Sequence, residues 1–157
     1  MATQQLMMGI IRFLHNLFTV VWIGGLAFMV LTMMPSFKKV LGKNPQANSL
    51  TNAITRRHRI PIYISIAGLF ITGLLLGKSN ADYLGFMRFG NLYSSLTAVK
   101  HIIAFAMVFI AVFRSILFGK KDIKMSPGQN KFSMLLIITN FFFGLLILLL
   151  SSLIASI

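Results

Sequence analysis

The chain has no cysteine and almost no acidic residues. The absence of cysteine from its 157 residues excludes disulfides, thiolate metal sites and thiol redox chemistry. Its only carboxylate side chains are Asp82 and Asp122, so neither a catalytic carboxylate pair nor an Asp/Glu proton relay is expected. The sequence also lacks a zinc motif, a phosphate-binding loop and a nucleophile motif. Hydrolysis and phosphoryl transfer are therefore not expected.

Apolar residues are abundant and occur in long runs. They make up 57% of the chain, charged residues make up only 11%, and the mean hydropathy is +0.84. A span of the bilayer needs about 20 apolar residues. The sequence therefore predicts a single all-α domain, an integral membrane four-helix bundle with antiparallel, up-and-down spans at about 9–34 (closed by Pro35), 60–77, 96–118 and 132–156. The first run is too long for the apolar core of a signal peptide, so we expect it to remain in the mature protein.

Two short features between the spans are also predicted. The polar segment 47–57 is typical of an interfacial helix lying on the membrane surface. Ser126-Pro127-Gly128 is typical of a turn before the last span.

The net charge of +13 predicts orientation in the membrane. The first and third connections lie on one side and carry Lys38, Lys39, Lys43, Arg56, Arg57, Arg59, Lys120, Lys121, Lys124 and Lys131. The other side has only Arg12, Lys78 and Arg88. The positive-inside rule then places both termini outside and the basic connections in the cytoplasm, in the plasma (inner) membrane. The same residues are suited to anionic lipid headgroups, and nucleic acid is not expected as a partner.

Three ionisable residues lie at membrane depth near the outer face: His15, Lys100 and His101. Such groups are costly in lipid and are candidate functional residues. His15 and His101 are each about 8–9 Å below the outer ends of their predicted helices, at about 1.5 Å per residue. By the same rise, His58 is roughly 20 Å or more away, at the cytoplasmic interface, and cannot share their site.

Helical periodicity predicts which faces point inward. The residues three or four apart from His15 form a stripe that we expect to face the bundle: Thr19, Trp22, Leu26, Met29 and Met33. The Lys100 face carries Ala104, Met107, Ala111 and Arg114, whereas the His101 face carries Phe105, Val108 and Val112. Small residues favour close helix packing in lipid, so Lys100 is the favoured inward group. Two structural interpretations remain open, namely a His15 ring that only hydrogen-bonds to a neighbouring helix and a Lys100 that snorkels to the interface.

Two metal chemistries fit these residues. A b-type haem needs axial imidazoles, cations for its propionates and small residues beside the macrocycle. His15 and His101 are the candidate axial ligands, Arg12 and Lys100 the candidate propionate partners, and Gly24, Gly25, Gly73 and Gly77 the small residues. Copper would use imidazole and thioether ligands, for which Met29, Met33, Met34 and Met107 are available. Methionines in an apolar chain more often serve packing, and the cations lack carboxylate partners, so haem is slightly favoured.

Several runs of residues share their order and spacing with a known family. They are the run from His15 through Trp22, Gly24 and Gly25 to Phe28 and then Pro35; the basic cluster Arg56-Arg57-His58-Arg59 with the later Thr72-Gly73; and the run from Leu96 to Lys100. These runs resemble the copper-resistance protein D (CopD) domain family over most of the chain. That resemblance implies an association with copper movement across the inner membrane.

A more distant resemblance is to the HemJ family of protoporphyrinogen oxidases. That family has a histidine in its first helix and a lysine in its third, both tied to haem and activity, and His15 and Lys100 match those positions. Most surrounding residues differ, so porphyrinogen oxidation is not carried over. The leading expectation is a CopD-like membrane metalloprotein that holds b haem or copper near the outer face, in a redox or metal-handling role. The alternatives are copper uptake or delivery, and a non-catalytic transmembrane subunit that binds the other subunits of a membrane enzyme complex.

Overall fold

A computed structural model describes residues 2–42, 45–79, 82–118 and 126–157. Within these ranges the chain is all-α, with four long helices: α1 (residues 2–41), α2 (Pro45–Lys78), α3 (Leu92–Phe118) and α4 (Pro127–Ala155). All four are long and apolar enough to cross a membrane, which confirms the predicted all-α membrane bundle. Four of the lysines on which the predicted membrane orientation depends lie outside the described residues: Lys43, Lys120, Lys121 and Lys124.

Helix α1 does not end at Pro35, contrary to the prediction. It is α-helical over Ala2–Thr19, Gly25–Ala27 and Met34–Leu41, with π-helical turns at Val20–Gly24 and Phe28–Met33. Pro35 is the second residue of the last stretch, inside a helix that continues on both sides of it. The helix ends instead at Gly42, whose φ of 59° lies in the left-handed region that favours glycine.

Helix α2 is longer than its predicted span. The expected interfacial helix at 47–57 is helical but continues directly into the membrane span, and Pro61 lies inside the helix. A proline removes one intrahelical hydrogen bond, but leaving the helix in lipid would leave several backbone groups without partners. The helix therefore continues through Pro61.

Side-chain caps mark the starts of α3 and α4. Helix α3 begins at Leu92, four residues before the predicted start at Leu96. At this point the backbone N–H of Ser94 donates to Asn91 Oδ1 at 2.7 Å. Ser126 is the N-cap of α4, and it exchanges two hydrogen bonds with Gln129 in a capping box. The predicted turn at Ser126 is therefore wrong, because Pro127 occupies the first helical turn, where proline is favoured.

Neighbouring helices run antiparallel. On α1 and α2, Phe18 contacts Gly68 and His58 contacts Gly25, so an increasing number on one helix pairs with a decreasing number on the other. Helix α4 joins through Gly144, where a Cβ would lie 3.2 Å from Ile23 Cγ2. We call the end where α1 begins and α2 finishes the termini end, and the opposite end the basic end.

The core follows the predicted stripe of α1. Four of its residues are buried, together with residues of α3 and α4: Trp22, Leu26, Met29, Met33, Met107, Ile137 and Phe141. Because these apolar residues recur every three or four positions, one side of α1 stays in contact with the other helices along its length.

Candidate functional site

His15 is held by a hydrogen bond to the next helix. Its Nδ1 lies 2.9 Å from Thr72 Oγ1, on the last turns of α2. The Thr72 hydroxyl donates its own hydrogen to the carbonyl of Gly68 at 2.6 Å. Its oxygen is then the acceptor, so the hydrogen of the neutral His15 ring belongs on Nδ1.

This arrangement leaves Nε2 of His15 as the nitrogen with a lone pair. A ring nitrogen in that state is a metal ligand or a hydrogen-bond acceptor, and a hydrogen bond from the other nitrogen is the usual way in which a ligating histidine is oriented. Gly73 lies beside the ring. A Cβ at this position would be 3.6 Å from His15 Cε1, at van der Waals contact. His15 is therefore oriented by Thr72 and half-buried.

Lys100 is a positively charged residue close enough to this ring to act on it electrostatically. It is half-buried on α3, and its ammonium lies within electrostatic range of both His15 and His101. Its helix face also carries Met107, which is 0% exposed, so this face points into the bundle as the sequence predicts. Among the described residues, no carboxylate contacts the ammonium.

His101 lies beside Lys100 but contacts a different part of the molecule. Its ring stacks at a tilt on Phe86, with centroids 5.4 Å apart. Its Nδ1 is buried and has no hydrogen-bond partner among the described residues. Arg12, one turn before His15, is exposed at the termini end. The termini end therefore gathers His15, Lys100 and His101, with Arg12 at its rim.

His58 lies apart from this group, but closer than the predicted distance of roughly 20 Å and beside the middle of α1, not at the cytoplasmic interface. It packs on Gly25, ten residues along α1 from His15, which corresponds to about 15 Å of helix. Gly25 was expected to leave space for a haem macrocycle, and this expectation is wrong. The space beside Gly25 is occupied by the imidazole of His58.

The methionines that were candidate copper ligands pack in the hydrophobic core. Met29, Met33 and Met107 are buried in the central apolar cluster, and Met34 packs against it. Within the described part of the chain, no three His, Cys, Asp or Glu side chains lie close enough to hold a metal ion. A metal site built on three such ligands therefore lacks support there.

Thr72 is the site residue that sequence reasoning missed as an orienting group. Its signal was a hydroxyl in an apolar helix, one residue before a glycine.

Comparison of the chain with models of known protein families, with curated proteins and with solved structures found no match.

Proposed function

We propose that this chain is an integral membrane metalloprotein that binds b haem through Nε2 of His15. The observation that carries the proposal is the hydrogen bond from His15 Nδ1 to Thr72 Oγ1. It sets the ring orientation and leaves Nε2 as the nitrogen that would hold the iron. A single axial histidine needs no cluster of protein ligands, which suits the donors described above.

The cations of the termini end suit the propionates of haem. Lys100 is half-buried without a carboxylate contact among the described residues, and a buried ammonium is stabilised by an anionic partner. Arg12 is exposed one turn from His15 and suits a second propionate at the membrane surface. When bound, the haem iron would supply one-electron redox chemistry, and the protein would set its ligand, its burial and its counter-charges.

We further propose that the termini end faces outward from the plasma (inner) membrane. The basic residues concentrate near the opposite end, where they suit the cytoplasmic face and its anionic lipid headgroups. The resemblance to CopD domains is compatible with this placement. In this orientation, haem bound to His15 would exchange electrons with partners on the outer side.

The deciding experiment is the absorption spectrum of the full chain, purified in detergent from haem-replete cells. We expect a Soret band that is lost in His15→Ala and weakened or shifted in Thr72→Val. Thr72→Ser keeps the hydroxyl and should retain the wild-type band. Lys100→Met tests the propionate partner and should lower haem occupancy, while His101→Ala reports whether a second imidazole ligates.

A matched control removes a histidine that the structure places elsewhere. His58→Ala should leave the Soret band unchanged. Stoichiometric copper without a Soret band would overturn the proposal in favour of copper handling. A colourless, metal-free chain that co-purifies with other membrane proteins would point instead to a non-catalytic subunit.

A further inference from the structure

A small cavity lies where all four helices meet, toward the basic end. Its volume is about 20 Å³, enough for one water-sized guest. Each helix contributes a wall, with Leu26 on α1, Arg59 on α2, Arg114 on α3 and Asn140 on α4. The cavity is separate from the His15 group, because Leu26 is eleven residues along α1 from His15, or about 16 Å.

Among the described residues, the positive charge of Arg114 has no matching acid. Its Nε donates to Ser133 Oγ at 3.1 Å, which uses one of the five N–H donors of a guanidinium. Among the described residues, no carboxylate contacts Arg114, and the acidic residue in those ranges, Asp82, belongs to the termini end. A buried cation is stable only when an anion or several hydrogen bonds compensate its charge.

Asn140 gives a second and independent sign of a guest. This side chain is only 3% exposed, it lines the cavity, and its Oδ1 has no hydrogen-bond partner within the described part of the chain. Buried polar atoms are nearly always paired, and an unpaired one indicates an ion or a water. The two ends of an amide have almost the same shape, so a half-turn of Asn140 presents its N–H₂ group to an anion.

A second guanidinium approaches the same space. Arg59 donates from Nη1 to Ser115 Oγ at 2.6 Å, which brings its side chain across from α2 toward α3. The guanidinium of Arg114 and the amide of Asn140 around one small volume, with Arg59 on the α2 wall, are chemically suited to an anion. The volume admits a single-atom guest but not a phosphate group with its four oxygens.

We propose that this cavity binds a small monovalent inorganic anion, chloride in size, which neutralises Arg114 between α3 and α4. The site is independent of haem. The bound ion links helices that approach one another at the cavity, so its expected effect is on bundle stability.

The test compares salts at equal ionic strength. The full chain in detergent is melted in increasing sodium chloride and, in parallel, in sodium gluconate, whose anion is too large for the cavity. We expect Tm to rise by a few degrees and saturate with chloride, but not with gluconate. Bromide should behave like chloride, and in crystals its anomalous signal should lie beside Arg114.

Three variants separate binding from general salt effects. Arg114→Gln should lose the chloride response, and Arg56→Gln, an exposed arginine toward the same end, should keep it. Asn140→Asp supplies an internal carboxylate of the same shape, so it should fold even if Arg114→Gln does not. Its Tm should be raised in gluconate and independent of chloride.

Three results would overturn the proposal. They are equal responses to chloride and gluconate, a full chloride response in Asn140→Asp, and a bromide peak away from Arg114. Protection by anionic phospholipid without protection by chloride would also overturn it, and would assign the cations to a lipid headgroup.

Discussion

The ring of Phe18 on α1 fills the space in which any side chain larger than hydrogen at Gly68 on α2 would have to lie. The contact is one turn from the hydrogen bond between His15 and Thr72. A close approach of the two helices at Gly68 therefore sets the distance at which the imidazole meets its hydroxyl partner.

Gly68→Ala should destabilise the bundle by about 1–3 kcal/mol, since the added methyl overpacks a filled contact. The measurement is the free energy of unfolding in mixed detergent micelles. Gly9→Ala is the matched control, because nothing lies within 4 Å of a Cβ there. That variant should be neutral or slightly more stable, given the higher helix propensity of alanine. Equal losses in both variants would contradict the contact.

Gly25→Ala tests the second close contact between α1 and α2. The new Cβ would overlap the His58 ring, so the single variant should lose stability. In the double variant Gly25→Ala/His58→Ala the overlap is gone. A double-mutant cycle should therefore give a coupling energy of about 0.5–3 kcal/mol. Additive effects would show that the two residues do not touch.

Met107→Ala should open a cavity at the centre of the bundle. This side chain is 0% exposed, and its truncation should cost about 2 kcal/mol in unfolding free energy, because packing contacts are lost without replacement. Phe109→Ala, at a residue that is 68% exposed, should cost less than 1 kcal/mol, since lipid takes the place of the ring. The reverse order would mean that α3 is rotated relative to the structure described.

Thr72 should control the tautomer of His15 even in metal-free protein. Imidazole ¹⁵N chemical shifts of His15 should indicate a hydrogen on Nδ1 in the wild type. Thr72→Val removes the acceptor and should shift the ring toward a mixture of tautomers. Thr72→Ser should preserve the wild-type shifts, and identical spectra for the valine and serine variants would contradict the hydrogen bond.

Ser126→Ala should weaken the start of α4 by about 1 kcal/mol, because it removes the N-cap hydrogen bond to the backbone of Gln129. Hydrogen exchange of the first amides of α4 would detect the loss as faster exchange confined to that turn. Ser126→Asp keeps an acceptor at the N-cap and should restore protection.

The spans and the inward stripe of α1 could be predicted because each rests on local information. Runs of about 20 apolar residues indicate membrane crossings, and a period near 3.6 identifies the buried face that contains Trp22 and Met33. The end of the first helix was wrongly predicted at Pro35 because the prediction took no account of the surroundings. In water, Pro35 and Pro61 favour helix ends, but in lipid the alternative is a set of unpaired backbone groups, so both remain helical.

The candidate site was only partly predictable. Depth along the spans placed His15 and Lys100 at one end of the bundle, because depth follows from counting residues. The partner of His15 is 57 positions away on another helix, and its identity depends on how the two helices are rotated about their axes. Periodicity in a single sequence indicates a face but does not determine which residues meet across an interface.

The hydrogen bonds around Ser94 hold the ring of Phe86 against His101. The backbone N–H of Leu84 donates to the Ser94 hydroxyl, which donates in turn to the carbonyl of Asp82. The connection is thereby fastened to α3 and carries Phe86 over the His101 ring. One face of the His101 ring is thereby covered, so a ligand that binds this face has to displace Phe86 and with it the hydrogen bonds that anchor the connection to α3.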